Sequence, residues 1–384
     1  MTLYDLLLLT LTNHTIDELG LLPCIPDKNE IPPATQHYYP LFVYESKLGI
    51  SLDSIVILLK EAQQRFLYYQ QPQQCDNLIQ LEQASRILIM LKPDHYTSMN
   101  TRKKLIQFGH IKVKDELELI DLIFTIPRNT KSSIAWHHRK WLIQRQYKNI
   151  KNLDIEKEIK ICERCIQLHP RNYYAWEYRY WLISTFLKQD IQKIIKEYQA
   201  MCQWIENNVS DHSGISYMEQ LLKLLTTLLI KNNEEKEEEN DKLNLETIMH
   251  SHLIWLDQLV LSYEGHETLW CHKRCCTSLW IDLHNPSSAA LLSSWFIQQH
   301  ESIKQLLFEL NPSHHHLISL SKQQEQQFTF ASKYGLWLCL MEKRQQQINP
   351  IEQTKANDLV DFYLQALQLY DSTPIYSSWK LFLQ

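Results

Sequence analysis

A short pattern of aromatic, basic and aliphatic positions recurs along the chain. One copy reads Trp176, Arg179 and Ile183. Positions three and seven residues after the tryptophan lie on one face of an α-helix, because 3.6 residues make a turn. One helix cannot bury a stripe made of a large ring, a charged fork and an aliphatic group. The pattern therefore predicts helices that pack against neighbours of the same kind.

The copies follow one another at intervals of roughly 40 residues, which is typical of paired-helix repeats. The residues that mark them are Tyr96, Met99, Arg102 and Ile106, then Ser133, Trp136, Arg139 and Ile143, then Tyr173, Trp176, Arg179 and Ile183, and finally Trp270 and Lys273. Ile215 and Met218 mark a degenerate copy, and Tyr334 and Trp337 suggest another. The predicted fold class is all-α, a right-handed α–α superhelix in which helical hairpins stack as a solenoid.

The same reading divides the chain into three segments. Residues 1–91 are predicted to hold capping helices and a proline-rich extended segment at 20–40, residues 92–285 the repeats, and residues 286–384 the closing helices. In the first repeat, we expect the helix after Pro93 to form a hairpin with the helix at 115–124. The acid-rich stretch 231–246 is predicted to be a solvated loop inserted between helices.

Composition supports a helical chain that carries no strong charge. Only 6 glycines occur in 384 residues, and apolar residues make up 44% of the chain. A net charge of −5 gives no support for binding nucleic acid through its phosphates. The apolar run Leu6–Leu9 is too short to span a membrane, so we expect no membrane span. The 9 cysteines follow no framework spacing, which predicts free thiols in a cytoplasmic protein.

Two cysteine clusters are candidates for a metal site. Cys162 and Cys165 have zinc-like spacing, but no second pair completes the set. The other cluster consists of Cys271, His272, Cys275 and Cys276, and it lacks a firm fourth ligand. We therefore expect no metal in this chain. No glycine-rich phosphate loop, nucleophile elbow or HExxH motif occurs either, so the chain shows no machinery for catalysis alone.

The repeated aromatic and basic frame resembles the repeats of protein prenyltransferase alpha subunits. The stretches that carry the resemblance begin at Trp136 and at Asn172, where the chain reads Trp-His-His-Arg-Lys-Trp-Leu-Ile and Asn-Tyr-Tyr-Ala-Trp-Glu-Tyr-Arg. The segments starting at Gly20, Glu45 and Val209 look like the repeat-containing protein 1 branch of that family. The resemblance covers residues 18 to about 280.

The resemblance implies a chain that works only with a second polypeptide. Family alpha subunits surround a beta subunit that holds the catalytic zinc and the isoprenoid pocket. For this branch, the implied partner is the beta subunit of Rab geranylgeranyltransferase. The implied activity is of geranylgeranyltransferase type III, with an isoprenoid diphosphate as donor and an already farnesylated SNARE as an acceptor protein.

The resemblance also assigns roles to particular residues. Lys131 matches the family lysine that faces the isoprenoid diphosphate, where its ammonium can stabilise charge on the departing group. Asn172 and Tyr173, followed by Tyr174, match the residues that the next repeat brings to the same substrate site. Ser133 stands where the family usually has tyrosine, and Tyr174 where some members have histidine, so the contacts with the diphosphate differ here.

Each of these assignments has a structural alternative. Trp136, Trp176 and Trp270 fit a helical core, because an aromatic stripe at helical spacing rarely does chemistry. A buried arginine such as Arg139 must be paired, and we expect its partner in the adjacent repeat. Residues alone would make Lys131 a solvated loop lysine. The alternative for the whole chain is a non-catalytic adaptor or a chaperone for prenylated proteins.

Overall fold

The computed structural model describes residues 1–71, 73, 77–146, 153–235, 245–284, 289–310, 320–345 and 350–370. They fall into two compact units, Met1–Phe186 and Leu187–Gln384. Each unit is built mainly of helices, which confirms the all-α helical-repeat class. Among the described residues, no helix has the combination of length and apolar composition that crossing a membrane requires.

The first unit contains eight helices among its described residues. They are α1 Leu3–Asn13, α2 Leu52–Tyr69, α3 Leu78–Leu91, α4 Tyr96–Gln107, α5 Val113–Ile123, α6 Ser133–Gln146, α7 Ile155–Leu168 and α8 Tyr173–Leu182. A 3₁₀ turn at Pro127–Lys131 leads into α6. A π-helical turn at Ile183–Leu187 follows α8. Helix α4 ends where Gly109 adopts a φ of 83°, which is the stop that glycine provides after a helix.

A small sheet lies between α1 and α2, where the sequence predicted only extended or looped chain. Its strands are β1 Glu18–Leu22, β2 Phe42–Tyr44 and β3 Lys47–Ser51. The order is β1-β3-β2, with β1 parallel and β2 antiparallel to β3. Strands this short carry little periodicity, and their pairing depends on segments far apart in sequence.

The helices pair into hairpins differently from the prediction, shifted along the chain by one helix. Helix α3 packs on α4, α5 on α6, and α7 on α8. Among the second helices, α4 contacts α6 and α6 contacts α8, and α3 contacts α5. The helix at 96–107 therefore closes the hairpin begun by α3, and its predicted partner α5 opens the next hairpin. The predicted segment boundary at 91/92 falls inside the α3–α4 pair.

The tryptophan stripe lies in the core of the first unit. Trp136 and Trp176 are each 3% exposed, and Ile143 and Ile183 are fully buried. Phe124 stacks on Trp136 with ring centroids 4.3 Å apart. Trp136 also lies 5.1 Å from the ring of Tyr178 in α8, so its ring joins its own hairpin to the next one.

The tyrosines that open two of these helices are not part of the buried stripe. Tyr96 is 64% exposed and Tyr173 is 62% exposed. Each is the first residue of its helix, where the chain has only just entered the helical array. Tyr96 therefore marks a helix start in the repeat and lies outside its buried core.

Buried arginines join one hairpin to the next. Arg139 of α6 donates from Nε and Nη2 to Glu158 of α7, at 2.8 and 2.7 Å. Its Nη1 lies 2.6 Å from Asp121 of α5. Tyr178 of α8 donates to the same Glu158 at 2.7 Å. One guanidinium, two carboxylates and one tyrosine hydroxyl therefore connect four consecutive helices.

The preceding hairpins repeat this arrangement around Arg102 of α4. Its Nη2 lies 2.6 Å from Glu116 of α5, and its Nη1 lies 3.0 Å from Glu82 of α3. His138 of α6 contacts Glu116 through Nε2 at 2.8 Å. Burial alone would raise the pKa of Glu116, but the charge of Arg102 and the bond from His138 outweigh it and lower the pKa to about 2.

The second unit consists of seven helices in its described part. They are α9 Ile191–Asn207, α10 His212–Glu235, α11 Leu245–Ser262, α12 Glu267–His284, α13 Ala289–Glu309, α14 Lys322–Gln345 and α15 Pro350–Gln368. Helices α9 and α10, α11 and α12, and α13 and α14 pack as pairs, and α15 packs on α14. Gly335 of α14 is needed for that last contact, because a Cβ there would lie 2.3 Å from the ring of Tyr363.

The α11–α12 pair keeps the repeat pattern with changed residues. Trp270 is buried and donates from Nε1 to Gln327 at 3.1 Å. Lys273 takes the place of the arginine, and its Nζ lies 2.6 Å from Asp257 of α11. Its charge also lies 4.8 Å from the ring of Tyr334 in α14. A buried cation paired within the hairpin is thus common to both units.

Helices α10 and α11 extend into both ends of the predicted acidic insertion. Residues 231–235 and 245–246 are helical, so the prediction of a loop there is wrong. The acidic run has good helix formers, and the neighbouring helical turns extend into it. Residues 236–244 and the histidine run 314–316 lie outside the described residues.

We expect Glu116→Gln to lower the free energy of unfolding by about 3 kcal/mol, because it leaves Arg102 buried with one carboxylate fewer. Denaturant unfolding of the full chain at neutral pH measures the change. Glu118→Gln is the matched control, since Glu118 is an exposed acid on the same helix. Equal effects of the two substitutions would contradict the buried-pair account.

The same pair predicts how stability depends on pH. The pKa of Glu116 is about 2 in the folded chain and near 4.5 in the unfolded chain, so its stabilising contribution is complete above pH 4.5. That contribution is lost as the pH falls from about 4.5 towards 2. The stability difference between wild type and Glu116→Gln should shrink over that interval.

Candidate functional site

The turn before α6 presents Lys131 from an otherwise buried segment. Asn129, Thr130 and Ser132 are buried, whereas Lys131 is exposed. The carbonyl oxygen of Thr130 accepts two hydrogen bonds, from Trp136 Nε1 at 2.7 Å and from Asn172 Nδ2 at 2.9 Å. The backbone before Lys131 is therefore tied to the core, and after it the hydroxyl of Ser132 accepts from the backbone N–H of Ala135 at 3.1 Å.

Asn172 connects this turn to the start of α8. Its side chain accepts a hydrogen bond from the backbone N–H of Ala175 and so caps the helix. The same side chain donates to Thr130, the residue before Lys131. Because Asn172 is fully buried, it cannot touch a substrate directly as the resemblance implied. It fixes the helix start that carries Tyr173 and Tyr174 beside the turn that carries Lys131.

The residues Tyr96, Lys131, Tyr173 and Tyr174 lie at the starts of α4, α6 and α8, and we call them the N-terminal edge. Ser132 adds a second connection along it, because its hydroxyl donates to Asp94 at 2.5 Å, just before α4. All four edge side chains are exposed. The amino ends of helices carry partial positive charge, which favours anions at such an edge.

A cavity of about 300 Å³ opens between α6 and α8 next to this edge. Its lining residues are Ser133, Ile134, Trp136, His137, Lys140, Tyr174, Glu177 and Tyr178. Burial, and then the charges of Lys103 and Lys140, lower the pKa of His137. The carboxylate of Glu177, which also lines the cavity, offsets part of the charge of these two ammonium groups and leaves a smaller local excess of positive charge. The cavity mouth and the edge can therefore attract an anionic ligand.

Two tryptophans lie further along the second helices α6 and α8, on a side that is partly exposed. Trp141 of α6 and Trp181 of α8 are half-buried. Lys103 lies 5.6 Å from the ring of Trp141, and Lys140 lies 5.0 Å from the ring of Trp181. We call these four residues the Trp–Lys face. Tryptophan is enriched at protein interfaces, and a lysine ammonium over each ring is attracted by its π face.

The two cysteine clusters behave differently. Cys162 and Cys165 are both buried, and burial raises the pKa of each thiol, to about 12 for Cys165. Among the described residues, no metal-ligand group includes either of them. In the other cluster, His272 and Cys276 are buried and lie close to His252 of α11. Cys271 and Cys275 are partly exposed and do not join that group.

The sequence analysis missed the buried acids of the first helices. Glu116 and Glu158 lie 22 and 20 residues before the polar partners that they meet, His138 and Tyr178. Glu197 of α9 likewise accepts from Tyr217 of α10, 20 residues later. In each copy, the polar partner stands directly before the arginine position of the repeat. A glutamate about 20 residues earlier recurs in all three copies, and this was the available signal.

Comparison with known proteins agrees with the hairpin phase seen in the fold. The family model described as protein prenyltransferase alpha subunit repeat matches residues 113–146 and 155–186. These ranges coincide with the α5–α6 hairpin and with α7, α8 and most of the following π-helical turn. Each match begins on a first helix and ends with the second, as the packing does.

Curated relatives extend the similarity over most of the chain. Protein prenyltransferase alpha subunit repeat-containing protein 1-B of Xenopus laevis is 30% identical over 302 residues, covering 68% of each chain. Protein prenyltransferase alpha subunit repeat-containing protein 1 of Danio rerio is 29% identical over 303 residues, covering 70% of this chain and 69% of the relative. A shorter match, 31% over 108 residues, is to geranylgeranyl transferase type-2 subunit alpha of Dictyostelium discoideum, covering 26% of this chain and 33% of that one.

We expect Asn172→Ala to loosen the turn that carries Lys131, because Thr130 loses one of its two side-chain donors. The loss of a cap and a buried hydrogen bond should cost about 1–2 kcal/mol of stability. Hydrogen–deuterium exchange should rise in residues 127–136. Asp154→Ala, which removes the exposed cap of α7, should leave exchange in 127–136 unchanged. If both substitutions, or neither, raise it, the tie between the two helix starts is wrong.

Proposed function

The chain belongs to the family of protein prenyltransferase alpha subunit repeat proteins, and on that basis we propose that it is the alpha subunit of a heterodimeric protein prenyltransferase. The observation that carries this proposal is the way Lys131 is held. A lysine fixed from both sides and exposed beside helix starts suits a group that meets an anionic donor. Tyr173 and Tyr174 would border the same donor.

The reaction proposed for the heterodimer is transfer of an isoprenoid from its diphosphate to a protein cysteine. The thiolate sulfur attacks the first carbon of the isoprenoid, and the carbon–oxygen bond to diphosphate breaks. Lys131 would offset the negative charge that gathers on the departing diphosphate. Such help increases as the bond breaks, so it lowers the barrier and does not merely tighten substrate binding.

The other components belong to a beta subunit. That subunit would hold the catalytic zinc, whose chemistry is to stabilise the attacking thiolate. The similarity to a geranylgeranyl transferase alpha subunit favours a geranylgeranyl donor. The beta subunit of Rab geranylgeranyltransferase as partner, a farnesylated SNARE as acceptor, type III activity and a cytoplasmic location are parts of this proposal that rest on the family resemblance.

The Trp–Lys face is the surface that best suits the beta subunit. It lies on the second helices, about two turns beyond the N-terminal edge, so a partner that covers both would meet Lys131 as well. Permanent complexes of this kind bury about 2,000–5,000 Å². Half-buried tryptophans are the residues that most often dominate such interfaces.

We expect co-expression with a prenyltransferase beta subunit to give a stable one-to-one complex. Trp141→Asp should abolish it, because it places a charge where a desolvated ring would be buried. Ile79→Asp is the control, since Ile79 is an exposed apolar residue on α3, outside this face. Size-exclusion chromatography with light scattering measures both. A chain that remains monomeric with every beta subunit would instead support the adaptor or chaperone alternative.

We expect Lys131→Ala in the assembled heterodimer to lower the rate of isoprenoid transfer about 100-fold without weakening subunit association. Single-turnover transfer to a cysteine acceptor measures the chemical step. Arg128→Ala is the matched control, because Arg128 is an exposed cation on the same turn. An unchanged rate for Lys131→Ala would remove this lysine from the mechanism.

A further inference from the structure

Three buried side chains of the second unit converge in a way that no other described repeat shows. His252 of α11 and His272 of α12 face each other, with their Nε2 atoms 3.0 Å apart. Cys276, one turn after His272, places its Sγ 3.6 Å from Nε2 and 3.7 Å from Nδ1 of that histidine. The candidate ligand atoms of the three residues all lie within 4.8 Å of one another, and all three side chains are fully buried.

The position of this cluster in the repeat makes it unusual. The corresponding first-helix residue is an acid in three preceding hairpins, paired with a histidine or tyrosine of the second helix. In the α11–α12 hairpin an imidazole replaces that acid. The carboxylate of the other hairpins is absent from this position. Two imidazoles and a thiol meet there instead.

The outer nitrogens of both histidines already have partners. His252 Nδ1 lies 3.0 Å from the hydroxyl of Tyr198 in α9. His272 Nδ1 lies 3.5 Å from a carboxylate oxygen of Glu219 in α10. A proton on Nδ1 of His272, directed at the carboxylate, leaves the lone pair on Nε2. A proton on Nδ1 of His252, donated to the tyrosine oxygen, does the same for that ring. Outer partners of this kind orient histidine ligands in metal sites.

The distances suit zinc. Tetrahedral zinc with ordinary Zn–N and Zn–S bonds requires nitrogen and sulfur ligands about 3.6 Å apart and two nitrogens about 3.3 Å apart. The distance of 3.6 Å from Cys276 Sγ to His272 Nε2 agrees. The same sulfur lies 3.7 Å from Nδ1, so a rotation of the Cys276 side chain must bring it beside the Nε2 lone pair. The nitrogen pair is closer by a few tenths of an ångström, which a small rotation of either ring supplies.

We propose that His252, His272 and Cys276 bind a zinc ion that joins α11 to α12. Water fills the fourth position, and Tyr198 and Glu219 hold the two rings in place. The ion replaces the missing acid of this repeat and stabilises the hairpin. It is separate from the zinc assigned to the beta subunit, and the inference does not depend on the proposed prenyltransferase function. It departs from the expectation of no metal, which weighed Cys271, His272, Cys275 and Cys276 without His252.

Cobalt binding to the reduced full-length chain, without any partner, tests the site. We expect one Co²⁺ per chain, with the visible bands of a tetrahedral ion and a thiolate-to-cobalt charge-transfer band, and we expect Zn²⁺ to displace it. Zn²⁺ should raise the melting temperature of the chain. Absence of the charge-transfer band at one equivalent of Co²⁺ would overturn the proposal and leave the two histidines as a hydrogen-bonded pair.

Variants identify the ligands. Cys276→Ser should eliminate the charge-transfer band. His272→Gln removes a ligand, so it should weaken cobalt binding by more than the roughly tenfold that loss of an outer hydrogen-bond partner alone produces. Glu219→Gln should weaken it by about tenfold through that outer role. Cys339→Ser is the matched control, because Cys339 is another buried thiol of the second unit. Circular dichroism confirms that each variant is folded. A band that survives Cys276→Ser, or that Cys339→Ser removes, would assign the metal elsewhere and refute the site.

Discussion

The structure of the first unit depends on charges that the helices bury and must therefore pair. Arg139 meets carboxylates from the first helix of its own hairpin and from that of the next one. A guanidinium with no access to water is stable only when its donors are satisfied. The carboxylate that satisfies them must come from a particular neighbour. Burial of the rings favours contact between hairpins in general, whereas the ion pairs specify which helices meet and in what register.

This constraint also explains why the repeats tolerate change. Lys273 serves in place of arginine because Asp257 of its own hairpin lies 2.6 Å away. The pair of a first-helix residue with a second-helix residue about 20 positions later persists as glutamate with histidine, as glutamate with tyrosine, and as two histidines. Each pair is buried, so each must satisfy its own hydrogen bonds. The positions are retained while their chemistry varies, which is how one repeat can acquire a site that its neighbours lack.

The arrangement at the helix starts follows from the same packing. Buried hydrogen bonds to the Thr130 carbonyl fix the turn before α6. Within the stretch from Asn129 to Ser132, only the side chain of Lys131 is exposed. The hairpin order then places this turn next to the start of α8. A repeat whose core holds its edge rigid can present a charged group at a defined place to a second polypeptide. That is the property that the proposed alpha subunit would need.

The sequence by itself determined the helical class, the recurring stripe of Trp136, Arg139 and Ile143, and the family. These features are local or periodic, so 3.6-residue spacing is enough to reveal them. The tertiary structure alone decided which helices pair, that Tyr96 is exposed, that short strands around residue 20 join a sheet, and that His252 meets His272 and Cys276. Each of these depends on contacts between residues far apart in the chain. A periodic pattern shows which face of a helix is buried, but not which neighbour covers it, and only the packed structure supplies that neighbour.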